Sequence, residues 1–279
     1  MTATDSQKAS LKKNGYVHIK GFFDKQSVAQ IFHDVKEVFA IQIEKLLGVP
    51  VEKALAMGEE DFSALMIELR KEDFELFSNC GKQTQHLVSL HELGTEKKLI
   101  ALLQSLGVAK PIISVRPCIL MNNVGLDKEG DKGKYWRLPT HQDWYYNQGS
   151  LNSVTVWTPY TACNKELGSV EYVPGSHLTG LQKTTDEHYG EMTESFADDK
   201  FITFDTEPGD IIVFYSLMVH RSGVNSTNRI RWSTQFRFND LLEPTFIERK
   251  FPNPFVYHSY KVNDTPGFPD EETLKNTFA

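Results

Sequence analysis

His141, Asp143 and His220 offer two imidazoles and a carboxylate, and their setting points to metal chemistry. The first two stand in Thr140-His141-Gln142-Asp143-Trp144. The third follows in Val219-His220-Arg221-Ser222-Gly223. Two neutral imidazoles and one carboxylate leave about three open positions on an octahedral ferrous ion, enough for a chelating co-substrate and dioxygen together. A closed four-ligand zinc site leaves none. On an extended strand residues i and i+2 point the same way, so His141 and Asp143 can face one metal while Gln142 turns aside. A His-x-Asp triplet alone also fits a turn histidine and a solvated carboxylate. The distant third histidine requires a fold that brings far-apart strands together.

Arg231 lies eleven residues after His220, in Arg229-Ile230-Arg231-Trp232-Ser233-Thr234-Gln235-Phe236-Arg237-Phe238. The segment alternates with period two. Ile230, Trp232, Thr234, Phe236 and Phe238 share one face, and Arg229, Arg231, Ser233, Gln235 and Arg237 share the other. If the apolar face packs on helices, the polar face lines a cavity, and a guanidinium there needs an anion. Its planar fork suits a carboxylate. Surface ion pairs are the competing reading. Beside the metal-type ligands the carboxylate reading is favoured, the anion being the far carboxylate of 2-oxoglutarate.

These pieces, in order, resemble the phytanoyl-CoA dioxygenase family of iron(II)- and 2-oxoglutarate-dependent oxygenases. The matching stretches are His141-Gln142-Asp143, then Gly168-Ser169-Val170-Glu171-Tyr172-Val173-Pro174-Gly175-Ser176-His177. Next comes Glu207-Pro208-Gly209-Asp210 leading into Ile211-Ile212-Val213-Phe214, and last His220-Arg221-Ser222 followed by Asn225 and Arg231. The match spans roughly residues 111 to 240, with an N-terminal counterpart in Leu11 to Val17. The resemblance implies that His141, Asp143 and His220 hold iron and act in catalysis, while Arg231 and Ser222 hold 2-oxoglutarate. Dioxygen is the other co-substrate. Where some members carry a helpful glutamine before the His-x-Asp loop, this chain offers only Asn122 as a candidate. Asp143 is present, which disfavours halogenation.

Other residues are weighed beside these. Thr155 and Trp157 are placed on opposite faces of a strand over 152–158, so that at most one lines the cavity. Thr155 is counted among the cofactor-binding residues. Trp144, Tyr145 and Tyr146 follow the metal motif and could wall a substrate site or pack beneath the loop. Arg137 and Arg116 could meet an anionic substrate or pair at the surface. His177 is read as supporting the turn after Pro174-Gly175, and Asp270 to Glu272 as a solvated face.

The elements that must position these groups are partly visible. Val28, Ile31, Phe32, Val35, Val38, Phe39 and Ile43 recur at helical spacing, which predicts a helix over 25–47 that Gly48 and Pro50 end. Helices are also expected over 60–71, 83–92 and 95–106, after an early strand over 15–19. Strands are expected over 112–121, 152–158, 169–173, 201–204, 210–215 and 229–238. A helical third followed by strands predicts a jelly roll, or double-stranded β-helix, packed against N-terminal helices. Residues 1–279 are read as one domain: helical support to 110, the jelly-roll core over 111–240, and a C-terminal extension from 241. The glycine-rich, charged stretch 123–140 is read as a flap beside the metal, and 178–200 as a second long loop.

With 37 acidic and 30 basic residues and no basic stripe, nucleic acid and anionic membrane are disfavoured as partners. No run is apolar enough for a membrane helix, and no signal region opens the chain. Three scattered cysteines fit a reducing compartment, the cytoplasm. The expected function is oxidation of a small-molecule metabolite, most simply C–H hydroxylation with release of succinate and carbon dioxide. Epimerisation, desaturation or ring closure with the same cofactors is the alternative. A metal-dependent cupin-type isomerase, needing neither 2-oxoglutarate nor dioxygen, and a non-enzymatic ligand-binding jelly roll are kept beside it.

Overall fold

The computed structural model describes residues 2–123, 137–145, 148–184, 192–193, 196–252 and 270–279. Helix α1 (Asp5–Asn14) leads into strand β1 (Tyr16–Ile19). Six helices follow: α2 (Lys25–Leu47), α3 (Val51–Leu55), α4 (Glu59–Glu72), α5 (Phe74–Thr84), α6 (Val88–Gly94) and α7 (Lys97–Ser105). The strands then come in turn: β2 (Pro111–Asn122), β3 (Val154–Pro159), β4 (Val170–Tyr172), β5 (Ile211–Tyr215), β6 (His220–Ser222) and β7 (Arg231–Asp240). Helices α8 (Pro244–Glu248) and α9 (Glu271–Phe278) complete the described elements.

Helix α2 forms as its spacing predicts. The Asp24 carboxylate accepts from the Ser27 N–H at its start, and Gly48, at φ 71°, closes its end. Val28, Ile31, Val35, Phe39 and Ile43 are buried in one stripe. That stripe packs on the larger sheet, whose strand order is β1-β5-β3-β7-β2 with every pairing antiparallel. Val154 and Val156 of β3, Ile211, Val213 and Tyr215 of β5, and Trp232, Phe236 and Phe238 of β7 share the same core cluster as the helices. The opposite face carries Trp157, Ile212 and Phe214, which cluster with Val170, Tyr172 and Met218. The central strands β3, β5 and β7 are therefore buried on both sides, with helices on one face and the second sheet on the other.

The second sheet is β4 paired with β6, extended by single bridges at His141–His220, Leu167–Asn225, Tyr172–Ile202 and Cys163–Thr206. Two antiparallel sheets face to face make the expected jelly roll. Among the described residues no helix is long and apolar enough to cross a membrane.

Several expectations change. The helix expected over 83–92 is two helices, because α5 ends at Thr84 and tight turn bonds run from Gln85 to Leu87 before α6 starts. The strand expected over 201–204 is one bridge at Ile202. Helices α1, α3, α5, α8 and α9 were not anticipated over their full extents. Asp270, Glu271 and Glu272 do face solvent, and the Asp270 carboxylate in addition accepts from the Thr273 N–H and caps α9. The supposed flap falls mainly at 124–136 and the second loop partly at 185–191 and 194–195, outside the described residues.

Candidate metal centre

The small sheet delivers the first two ligand-type side chains. His141 and His220 exchange both backbone hydrogen bonds, at 2.9 and 3.0 Å, and their ring centroids are 4.2 Å apart. Asp143 departs from the expected strand. The extended run stops at the His141 bridge, and Asp143 opens a short 3-10 turn (Asp143–Tyr145). The turn still carries its carboxylate inward, with Oδ1 3.8 Å from His141 Nε2. Among the described residues, His141, Asp143 and His220 form the one group of His, Cys, Asp and Glu side chains whose ligand atoms lie within 4.8 Å of one another. Gln142 points away, donating to the Leu217 and Gly180 carbonyls.

The imidazoles are prepared to ligate a cation. Nδ1 of His141 meets the Pro139 carbonyl at 2.7 Å, and Nδ1 of His220 meets the Met218 carbonyl at 2.9 Å. An Nδ1–H donating to a carbonyl leaves Nε2 as a bare lone pair. Nε2 of His220 is buried with no hydrogen-bond partner among the described residues. Burial, then repulsion from His220, pulls the His141 pKa down to about 3, and burial lowers that of His220, so both rings are neutral near pH 7. Burial alone would raise Asp143, but the charged Arg237 guanidinium opposes it and the carboxylate stays ionised, its pKa lowered. An orphaned nitrogen, a second neutral imidazole and an anionic oxygen are the donor set a divalent metal fits.

Asp143 is held by two side chains that the register of β3 and β7 sets opposite each other, Thr155 and Arg237. Thr155 Oγ1 donates to Oδ2 at 2.6 Å. Arg237 donates through Nε to Oδ2 at 3.3 Å and through Nη2 to Oδ1 at 3.2 Å. Thr155 thus meets the Asp143 carboxylate. Trp157 also faces inward, with its Nε1 unpartnered among the described residues. The expected opposition of Thr155 and Trp157 is therefore wrong: residues two apart on a strand share a face. Arg237 was placed on the cavity face, but nothing in the sequence named its partner.

Arg231 is fully buried on that same face. Its Nη1 donates to the Gly168 carbonyl at 2.5 Å, and its Nε has no partner among the described residues. Among the described residues no carboxylate lies within ion-pair distance of it. Tyr172 and Cys163 are its polar neighbours, and burial lowers its pKa. The Tyr172 hydroxyl and Ser233 Oγ are likewise buried and unpartnered among the described residues. Gly168 sits at φ +75°, and a Cβ there would come within 2.9 Å of the Asn225 nitrogen and the Gly223 carbonyl, so glycine is needed for this close approach.

The remaining expected residues are placed as follows. Ser222 Oγ accepts from the Leu138 N–H at 3.1 Å, tying β6 to the segment that leads into His141. Asn122 pairs with Arg231 across β2 and β7, and its amide donates to the Gly223 carbonyl. Trp144 packs in the main core, with the Arg249 guanidinium 5.2 Å from its ring centre. Arg137 is exposed and Tyr146 lies outside the described residues. Arg116 donates to Gln85, and His177 Nε2 meets the Lys12 carbonyl, well away from metal duty.

Solved structures share this architecture. The epimerase SnoN in complex with Fe3+, alpha-ketoglutarate and nogalamycin RO covers 85% of the chain with 83% of its own, at TM-score 0.53 and 20% identity. The alpha-ketoglutarate-dependent carbocyclase SnoK covers 91% with 93% of its own, at TM-score 0.51 and 16% identity. At such identities the likeness is one of fold, and it places the chain in the jelly-roll fold that these two proteins share. The sequence profile of the phytanoyl-CoA dioxygenase (PhyH) family matches residues 11–233, and the chain belongs to that family. Its relatives include 1-deoxypentalenic acid 11-beta-hydroxylase of Streptomyces exfoliatus, 22% identical over 75% of this chain and 71% of that one. Another is the peroxisomal phytanoyl-CoA dioxygenase of Homo sapiens, 21% identical over 84% and 68%. The chain is accordingly an iron(II)- and 2-oxoglutarate-dependent enzyme that takes dioxygen as co-substrate.

Proposed function

We propose that this enzyme hydroxylates a C–H bond of a small-molecule metabolite, releasing succinate and carbon dioxide. The observation that carries the reading is the convergence of His141, Asp143 and His220 inside the barrel. When bound there, iron(II) supplies dioxygen activation coupled to oxidative decarboxylation of 2-oxoglutarate. The chain's own residues do the rest. His141, Asp143 and His220 hold the metal through one ligand atom each. Arg231 holds the far carboxylate of 2-oxoglutarate, aided by Ser222 two residues beyond His220. A bidentate anion would give the Arg231 guanidinium the counter-charge it lacks among the described residues. Trp157, Tyr172 and Ser233 turn unspent donors toward the same interior. Thr155 acts on the metal carboxylate. Asn122 shapes the corner beside Arg231, and Trp144 supports the loop from behind. Arg137 and Tyr146 remain candidates for the substrate side.

Hydroxylation is favoured over epimerisation or ring closure by the named activity of the Streptomyces exfoliatus relative. The free cysteines Cys80, Cys118 and Cys163 suit the cytoplasm. Anaerobic titration with iron(II) and 2-oxoglutarate tests the cofactor sites, with a visible charge-transfer band as the expected result. Product mass then tests the reaction. Hydroxylation adds one oxygen atom; a product of unchanged mass or two hydrogens lighter would replace it with epimerisation or with desaturation and ring closure.

A further inference from the structure

The Asp143 carboxylate is held more tightly than a metal ligand needs to be. A carboxylate offers about four lone-pair directions, two on each oxygen. On Oδ2 both are taken, by Thr155 Oγ1 at 2.6 Å and Arg237 Nε at 3.3 Å. On Oδ1 one is taken, by Arg237 Nη2 at 3.2 Å. The uncommitted direction belongs to Oδ1, the oxygen 3.8 Å from His141 Nε2. Arg237 is itself fixed: Nη2 also donates to Gln235 Oε1, and Nη1 reaches Cys118 Sγ at 3.3 Å. Thr155 and Arg237 are cross-strand partners, so the sheet builds this clamp before any metal arrives.

We propose that Arg237, with Thr155, is a positioning residue that confines Asp143 to a single metal-binding oxygen, Oδ1, and thereby preserves a coordination position for 2-oxoglutarate or dioxygen. The proposal rests on the metal reading given above. A carboxylate free to turn could bind through both oxygens and consume one of the three open positions. The guanidinium also shares the carboxylate's charge. The clamp therefore weakens the metal site slightly while it protects room for the co-substrate. Removing it should lower 2-oxoglutarate affinity without lowering metal affinity, a split that general loss of structure does not produce.

The test uses full-length wild type, R237M, R237K and T155V, with Co(II) as an oxygen-stable stand-in for iron(II). Calorimetry gives the affinities for Co(II) and then for 2-oxoglutarate. The Co(II) visible spectrum reports the donor set, and melting with and without Co(II) reports coupling to the fold. In R237M we expect Co(II) affinity equal to or above wild type, an altered spectrum and a larger Co(II)-induced rise in Tm. 2-Oxoglutarate affinity should fall about ten- to a hundredfold, the usual scale for groups that orient a metal ligand. R237K keeps the charge without the fork and should fall between. T155V frees one direction on Oδ2 and should show the same split more weakly; it decides the matter if R237M does not fold. Co(II) and 2-oxoglutarate affinities that fall together, or a 2-oxoglutarate affinity that stays unchanged, would overturn the clamp. A wild type that takes up no Co(II) would instead overturn the metal reading and the clamp with it.

Discussion

His141 and His220 are backbone partners as well as neighbouring side chains: each donates its N–H to the other's carbonyl, at 2.9 and 3.0 Å. Seventy-nine positions apart in sequence, they form the last rung of the small sheet. The spacing of two candidate ligands is thus set by main-chain hydrogen bonds, which are indifferent to the side chains they carry.

The first prediction follows from that independence. His220→Ala removes a candidate ligand without removing the rung. Succinate formation from 2-oxoglutarate should fall to background while the circular dichroism spectrum and the metal-free melting temperature stay close to wild type. Turnover at the wild-type rate would take His220 out of the ligand set.

Arg231 behaves oppositely to an ordinary stabilising residue. It is buried without a paired carboxylate among the described residues, and an uncompensated buried charge costs stability. Arg231→Met should therefore stabilise the protein without 2-oxoglutarate by about 1–2 kcal/mol, roughly 3–6 °C in Tm. The same variant should lose about a hundredfold in 2-oxoglutarate affinity, the scale of a desolvated charge pair. A variant that melts lower, yet binds 2-oxoglutarate normally, would contradict both halves.

His177 makes stability depend on pH. It is packed against Tyr215 and Phe278, and burial pulls its pKa down to about 4. In the unfolded chain it titrates near 6.5. Between those values the unfolded state holds the extra proton, so stability is complete above about pH 6.5 and declines as pH falls toward 4. The full gap corresponds to about 3 kcal/mol. His177→Gln, which keeps a donor for the Lys12 carbonyl, should flatten the fall of Tm between pH 7 and pH 5. Parallel curves for the two proteins would refute the assignment.

Gly15 bears on the same contact. It sits at φ +82°, and an added Cβ would lie 2.5 Å from His177 Nδ1 and 2.7 Å from Met218 Sδ. Gly15→Ala combines left-handed strain with overpacking and should cost on the order of 2–4 kcal/mol in denaturant unfolding. A loss below about 0.5 kcal/mol, the scale of a surface substitution, would show that the contact yields freely.

Much of this was legible in the chain because short-range patterns report short-range physics. The apolar stripe of 25–47 specifies α2, and the alternation over 229–238 specifies β7 with its arginines on one face. The triplet at 141–143 and the interval from His220 to Arg231 mark the chemistry. Local pattern fails where neighbours decide. Asp143 leaves the strand for a turn because the Trp144 N–H donates to the Ser216 carbonyl, a contact seventy-two positions distant. No glycine or proline interrupts 83–92, so the turn at Gln85–Leu87 leaves no local signal and two helices look like one.

Ligand types, strand period and the presence of a cavity-facing guanidinium belong to the sequence, because they depend on residue identity and the geometry of one strand. Which arginine meets which carboxylate belongs to the tertiary structure. Arg231 and Arg237 are equivalent by pattern, yet strand register sets Arg237 beside Thr155 and over Asp143, while Arg231 is left against the Gly168 carbonyl. Coulombic attraction needs proximity, and proximity across a sheet is fixed only when distant strands pair.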